Sequence, residues 1–142
     1  MAQFLEFFQN HPGLFAALAV VLTLIVANEV YGAINGGKRL SVTEAVRLIN
    51  DRDPLVVDLR PAGDFKRGHL MNAVNVPLAK LETRSAEWKK QQERPVLLYC
   101  ALGNSSSDAS ARLRKLGFAE PYQIRGGINA WINSSLPITS KS

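Results

Sequence analysis

The sequence predicts an α/β domain with a mainly parallel sheet, carried behind one N-terminal transmembrane helix. Three observations predict this. Charge is split: residues 1–37 hold only Glu6 and Glu29, so all 17 Lys+Arg lie beyond them with ten acidic residues, a net of +7. The weakly charged part contains a long apolar run. The charged part alternates short aliphatic runs with stretches of helical apolar spacing, the pattern of strand–helix–strand units. The 142 residues leave room for one folded domain.

Leu14 to Ala27 is apolar apart from Thr23, and Pro12 to Ile34 makes a stretch long enough to span a bilayer. Glu29 can snorkel to the interface and Tyr31 can anchor there. Gly32 and Gly36 form a small-xxx-small pair at the edge of the span, a weak dimerisation signal. A cleaved signal peptide would need a basic leader, and no Lys or Arg precedes Lys38. A buried core helix is the other alternative, because the uninterrupted apolar part is short. Lys38-Arg39 directly after the span places the N-terminus outside and the domain in the cytoplasm, where a reducing environment suits a free thiol. The expected organisation is a short extracytoplasmic N-terminus (1–11), a span in the lipid bilayer (12–34), a linker around Asn35-Gly36-Gly37 (35–38), the domain (39–138) and a disordered tail (139–142).

Ser41-Val42-Thr43-Glu44 is a capping box, and Ala45, Leu48 and Ile49 give the following helix an apolar face until Asp51 to Pro54 breaks it. Leu55-Val56-Val57 is a buried strand ending at Asp58, and Ala73-Val74-Asn75-Val76 is a second, stopped by Pro77. Leu78 to Gln92 reads as helix, with Leu78, Leu81 and Trp88 as apolar contacts. Val96 to Tyr99 is a third strand. Ser106 to Leu116 is a helix with Ala109, Leu113 and Leu116 on one face, and Gly117 takes the C′ position. Tyr122 to Ile124 is a strand and Ile128 to Ile132 the final helix.

Cys100 is the only cysteine, so no intrachain disulfide can form. One cysteine with His11 and His69 does not make a metal site, and no metal is expected. Cys100 ends the run Val96–Tyr99 and opens the loop Ala101-Leu102-Gly103-Asn104-Ser105 before a helix. Loop N–H groups and the helix dipole would converge on its sulfur and favour the reactive thiolate. A buried, inert cysteine is the competing reading. No Arg/Lys-rich run or aromatic ladder indicates nucleic acid. The basic surface suits a small anion, anionic lipid or an acidic partner.

Four motifs in order carry a resemblance. Asp58-Leu59-Arg60, Asp64-Phe65-Lys66-Arg67-Gly68-His69-Leu70 and Ala73-Val74-Asn75-Val76-Pro77 resemble the first signature of rhodanese domains. Cys100-Ala101-Leu102-Gly103 resembles their active-site loop. Gly117-Phe118 and Gly126-Gly127-Ile128-Asn129-Ala130-Trp131, with Leu136-Pro137 after, resemble their C-terminal signature. The match covers about residues 39–138, and with the apolar helix in front the chain is similar to small membrane-anchored bacterial members. The resemblance implies a five-stranded sheet flanked by helices. It implies a sulfurtransferase of the bacterial inner membrane that carries sulfane sulfur as a persulfide on Cys100, with no cofactor. Its partners would be a small sulfur-containing anion or persulfide donor and a thiol acceptor. Two positions depart from the family pattern. Ser105 stands where many active members carry arginine, and Asp64 where Glu is usual.

Asp58 and Arg60 are expected to support the loop by a salt bridge, although Arg60 could help hold an anion. His69 is expected to pack or cap, Trp131 and Phe65 to be core, Gly126-Gly127 to turn with positive φ, and Ser105, Ser106 and Ser107 to cap the helix. The alternative functions are a non-catalytic rhodanese-like module that binds a membrane protein, and a phosphatase or arsenate reductase, whose loops are longer and carry arginine.

Overall fold

The computed structural model describes residues 1–35 and 37–141. Gly36, part of the expected linker and of the Gly32/Gly36 pair, and Ser142 of the tail lie outside the described residues. The chain divides into two units, Met1–Ile34 and Asn35–Ser142.

In the first unit, α1 (Ala2–Asn10) precedes α2 (Pro12–Asn35). Pro12 opens α2, where its missing N–H would have no intrahelical partner and its fixed φ suits the first turn. Pro12–Ile34 is the one described helix long and apolar enough to cross a membrane by length and composition. Its large side chains, Leu18, Leu24 and Ile25 among them, are exposed, which argues against a buried core helix. Residues 1–11 read as a plain terminus, yet they are helical. Phe4, Phe7 and Phe8 have i, i+3, i+4 spacing and bring their rings to 6.2, 6.0 and 4.5 Å from that of Phe15.

The second unit holds a five-stranded sheet: β1 (Lys38–Leu40), β2 (Leu55–Asp58), β3 (Val74–Asn75), β4 (Val96–Tyr99) and β5 (Pro121–Ile124). Their spatial order is β1-β5-β4-β2-β3, and every pair is parallel, as the fold class expected. β1 was not recognised. Its first residue, Lys38, belongs to the expected linker (35–38), but Lys38 pairs with Tyr122 and Leu40 with Ile124, so the sheet begins one residue before the expected domain boundary.

Helices cover both faces, which explains why β4 reads as a continuous apolar run. Val57, Val96 and Leu98 join Leu81, Trp88, Ala109 and Leu113 in one core. Val56, Leu97 and Tyr99 join Ala45, Leu48, Ile128 and Trp131 in the other. The first core lies under α6 (Asn104–Lys115), the second under α3 (Val42–Arg52) and α7 (Gly127–Asn133). Alternation along β4 puts Cys100 on the α6 face with Val96 and Leu98.

Local signals explain several boundaries. The Ser41–Glu44 capping box forms, with bonds of 3.2 and 2.8 Å. α3 runs through Asp51 and Arg52 and breaks only at Asp53, which is left-handed with φ 43°. At the end of α6 the Phe118 and Gly117 N–H groups donate to the carbonyls of Leu113 and Arg114, a Schellman closure with Gly117 at φ 96°. Leu116 lies outside that face and is exposed. Leu78 to Gln92 is not one helix. It is a 3₁₀ turn (Leu78–Lys80), α5 (Leu81–Ser85) and a second 3₁₀ stretch (Ala86–Gln91). At the junction the Ser85 hydroxyl donates to the Glu82 carbonyl at 2.7 Å, competing with the α-helical ladder. The short α4 (Ala62–Arg67) was also missed. Thr139, the first residue of the expected tail, exchanges two 2.8 Å backbone bonds with His69.

Candidate active site

β4 delivers Cys100 to the carboxyl edge of the sheet, and two helix starts hold the loop that follows. Gly103 takes φ 94°, a conformation that suits a residue without a side chain, and turns the chain straight into α6. The helix therefore begins at Asn104, two residues earlier than its apolar spacing suggests. Ser105, Ser106 and Ser107 lie inside its first turn and do not cap it; Gly103 is the N-cap and offers no side chain.

The donors left at this helix start are aimed at sulfur. The Gly103 N–H donates to Cys100 Sγ at 2.9 Å, and the buried Ser106 hydroxyl donates to it at 3.4 Å. Burial works against ionisation of the thiol. The Ser106 hydroxyl and the N–H groups of Ser105, Gly103 and Ser106 outweigh it and hold the pKa below the ordinary cysteine value. Loop N–H groups were expected to converge on the sulfur; those of Gly103, Ser105 and Ser106 are the ones that favour its thiolate. Ala101 enters through its carbonyl instead, while Leu102 and Asn104 are exposed beside the loop.

The second helix start grips the loop backbone. At the head of α7 the Ile128 N–H donates to the Cys100 carbonyl at 2.9 Å and the Asn129 N–H to that of Ala101 at 3.2 Å. Gly126 and Gly127 have φ of 78° and 62°. A β-carbon on Gly127 would fall 2.3 Å from the Cys100 carbonyl oxygen, so only glycine lets the two backbones approach this closely.

Asp58 and Arg60 form a separate structure. Asp58 is fully buried at the end of β2 and accepts from the Arg60 backbone at 2.8 Å and from its guanidinium at 2.7 Å. The same guanidinium donates to the Gly68 carbonyl at 2.6 Å. It also lies over the ring of Tyr99, whose hydroxyl is pushed far above its ordinary value by burial and then by Asp58. Asn75 ties in the Asp58 and Arg60 carbonyls. The salt bridge expected of the pair is present, and it lies on the α3–α7 face, opposite that of Cys100.

His69 is buried, stacks on Phe65 at 3.7 Å and has Nδ1 2.8 Å from the Phe65 carbonyl oxygen. Phe65 is half-buried rather than core. Asp64 pairs with Arg67, and Trp131 is core, its indole N–H donating to the Pro137 carbonyl. Among the described residues, no cluster of three His, Cys, Asp or Glu side chains could hold a metal ion. Ser106 is the functional candidate read only as a cap. Its signal was its place six residues after Cys100, one helical turn beyond Gly103.

Comparison with known proteins gives a consistent picture. Residues 41–134 match the rhodanese-like domain family. The chain is 28% identical over 139 residues to the protein YibN of Escherichia coli (strain K12), covering 97% of both chains. It is 36% identical over 94 residues to the thiosulfate sulfurtransferase GlpE of Coxiella burnetii, covering 66% of this chain and 86% of the relative. A crystal structure of a rhodanese-related protein from Thermoplasma volcanium superposes with a TM-score of 0.63 at 25% identity, covering 73% of this chain and 99% of the other.

Proposed function

The chain belongs to the rhodanese-like domain family, and from that premise we propose that it is a sulfurtransferase whose sulfur carrier is Cys100. The observation that carries the reading is the sulfur's setting, with the Gly103 N–H at 2.9 Å and the Ser106 hydroxyl at 3.4 Å at the start of α6. Sulfurtransferase relatives support the reaction class.

The chemistry is a pair of displacements at sulfur. The Cys100 thiolate attacks the outer sulfur of a donor such as thiosulfate. A new S–S bond forms to Cys100, the donor's S–S bond breaks, and sulfite leaves with the electron pair. A thiol or cyanide then removes the outer sulfur and restores the thiolate. The loop donors that stabilise the thiolate also stabilise negative charge on the persulfide and in the transition states between them. Asp58 and Arg60 hold the neighbouring strand end and take no part in bond making.

Pro12–Ile34 anchors the protein in the inner membrane in this proposal, with residues 39–138 in the cytoplasm. The alternative of a non-catalytic module is favoured by the apolar N-terminal helix, the basic domain and the absence of a loop arginine at Ser105. Mass spectrometry of the full chain after exposure to thiosulfate or an organic persulfide decides between them. An added sulfur of about 32 Da on Cys100, removed by dithiothreitol, is the expected product. Its absence with every donor would favour the binding module. For topology, a C-terminal reporter that works only in the cytoplasm should be active, and one active only outside would refute the orientation.

A further inference from the structure

The sheet face that carries Cys100 also carries two arginines that the sulfur chemistry above does not use. In β1 and β5, Arg39 lies opposite Gln123 and Leu40 opposite Ile124. Leu40 and Ile124 belong to the core under α3 and α7, so alternation turns Arg39, Gln123 and the following Arg125 towards α6. Arg125 extends the pairing, its N–H donating to the Leu40 carbonyl at 2.8 Å. With Gly103, Asn104 and Ser107 these residues line a pocket of about 460 Å³.

The pocket is built for an anion. The Arg39 guanidinium donates to the Ser107 hydroxyl at 3.1 Å, and that hydroxyl donates to Oε1 of the buried Gln123 at 3.1 Å. This relay fixes Arg39 through one N–H and leaves its others for a ligand. Among the described residues, neither Arg39 nor Arg125 is ion-paired with a carboxylate. Glu44, the acid that feels Arg125, is already held in the α3 capping box. Gly103 joins pocket and sulfur: it lines the pocket and donates its N–H to Cys100 Sγ.

Resting on the sulfurtransferase reading, we propose that this pocket is a carboxylate subsite for the thiol that takes sulfur from Cys100, selecting anionic low-molecular-weight thiols over neutral ones. The volume lies in the range of small-molecule sites, about 300–1,000 Å³, and exceeds what an ion the size of thiosulfate needs. It suits an organic thiol whose carboxylate lies several bonds from its sulfur. In the step served, the acceptor thiolate attacks the outer sulfur of the Cys100 persulfide. That sulfur bonds to the acceptor, the S–S bond to Cys100 breaks, and its electron pair returns to Cys100 as thiolate. No oxidant is consumed. The arginines make up, on the acceptor side, for the charge that Ser105 does not provide.

The test uses the full chain in detergent micelles, loaded with sulfur, and compares discharge to glutathione with discharge to its diethyl ester. The wild type should favour glutathione by about five- to tenfold, the scale of two solvent-screened charge contacts, and the preference should shrink in high salt. In R39Q/R125Q it should fall to near one; R125Q alone, at an exposed side chain, serves if the double variant does not fold. Binding of S-methylglutathione, which has no reactive thiol, is followed in parallel by amide NMR. It should shift Arg39, Asn104 and Ser107 in the wild type and not in the variant. A preference that survives both substitutions, no preference in the wild type, or S-methylglutathione shifts confined to other residues overturns the proposal. So do shifts produced only by an acidic peptide, which would make the pocket a protein-docking site. A Cys100 that never acquires sulfur refutes instead the reading beneath it, and the NMR arm still decides the pocket.

Discussion

β2 and β4 lie side by side, Asp58 opposite Tyr99, and each strand delivers a polar side chain to the same edge of the sheet. Asp58 and Cys100 are both buried there, on opposite faces, and the chain treats them in opposite ways. Asp58 meets a cation two residues later. Arg60 supplies backbone and guanidinium donors, so the charge is neutralised inside the protein. Cys100 meets a glycine three residues later. Gly103 opens a helix whose donors are neutral dipoles, so a thiolate is stabilised while its charge stays uncompensated. The strand end decides where a polar group can sit, and the next few residues decide whether it becomes structure or chemistry.

The largest effects should come from removing each polar group in turn. Asp58→Ala leaves Arg60 without its partner in a buried setting and should cost about 3–5 kcal/mol in urea unfolding. Cys100→Ser should abolish sulfur transfer while changing stability by no more than about 1 kcal/mol. The reverse outcome, a catalytic Asp58 or a structural Cys100, would erase the distinction between the two strand ends.

Gly127→Ala should come next. Its β-carbon would meet the Cys100 and Ala101 carbonyl oxygens at 2.3 and 2.7 Å, in a backbone at φ 62°. A loss of about 2 kcal/mol or more is expected, with transfer activity lost through displacement of the loop. Full activity in this variant would show that α7 does not position the nucleophile.

A smaller change should sharpen the contrast. Ser105→Arg introduces a cation into the open site and should raise kcat/KM for thiosulfate by about tenfold. The gain should lie mainly in KM, because donor and transition state are both anionic. No gain would mean that donor binding is not limited by the missing charge.

Both strand ends were legible in the sequence, because a short aliphatic run closing in Asp or Cys marks the edge of a parallel sheet, and after Cys100 a small polar loop follows. The clamp was half legible. Gly126-Gly127 announced a turn, but nothing local showed that the turn lies against the Cys100 carbonyl, since that contact depends on β4 and β5 being neighbours. Ser106 was misassigned for a related reason. Apolar periodicity begins only at Ala109, and Gly103, with φ 94°, starts the helix before that pattern appears. β1 escaped notice because three residues that begin Lys38-Arg39 carry no alternation of their own; their partner β5 makes them a strand. The 78–92 segment had good helical spacing, and the Ser85 hydroxyl bond to the Glu82 carbonyl, at the junction where α-helix gives way to a 3₁₀ stretch, is a contact that spacing does not report.

The smallest expected effects are electrostatic. Ser106→Ala removes one donor to sulfur, so it should slow transfer by about fivefold, the worth of one hydrogen bond. Stability should follow the same logic. The folded-state pKa of Cys100 lies below the unfolded one. The thiolate's contribution is therefore complete above the unfolded value of about 8.5 and is lost as pH falls through the lower folded value. The stability gap between wild type and Cys100→Ser should widen as pH rises through that interval.

The rate of iodoacetamide alkylation of Cys100 in the full chain, measured against pH, tests most directly whether this strand end holds an open thiolate. The midpoint should lie below the free-cysteine value of about 8.5 and move upward in Ser106→Ala. A midpoint at or above that value, unmoved by the substitution, would show that burial outweighs the loop donors and that Cys100 is an ordinary core cysteine.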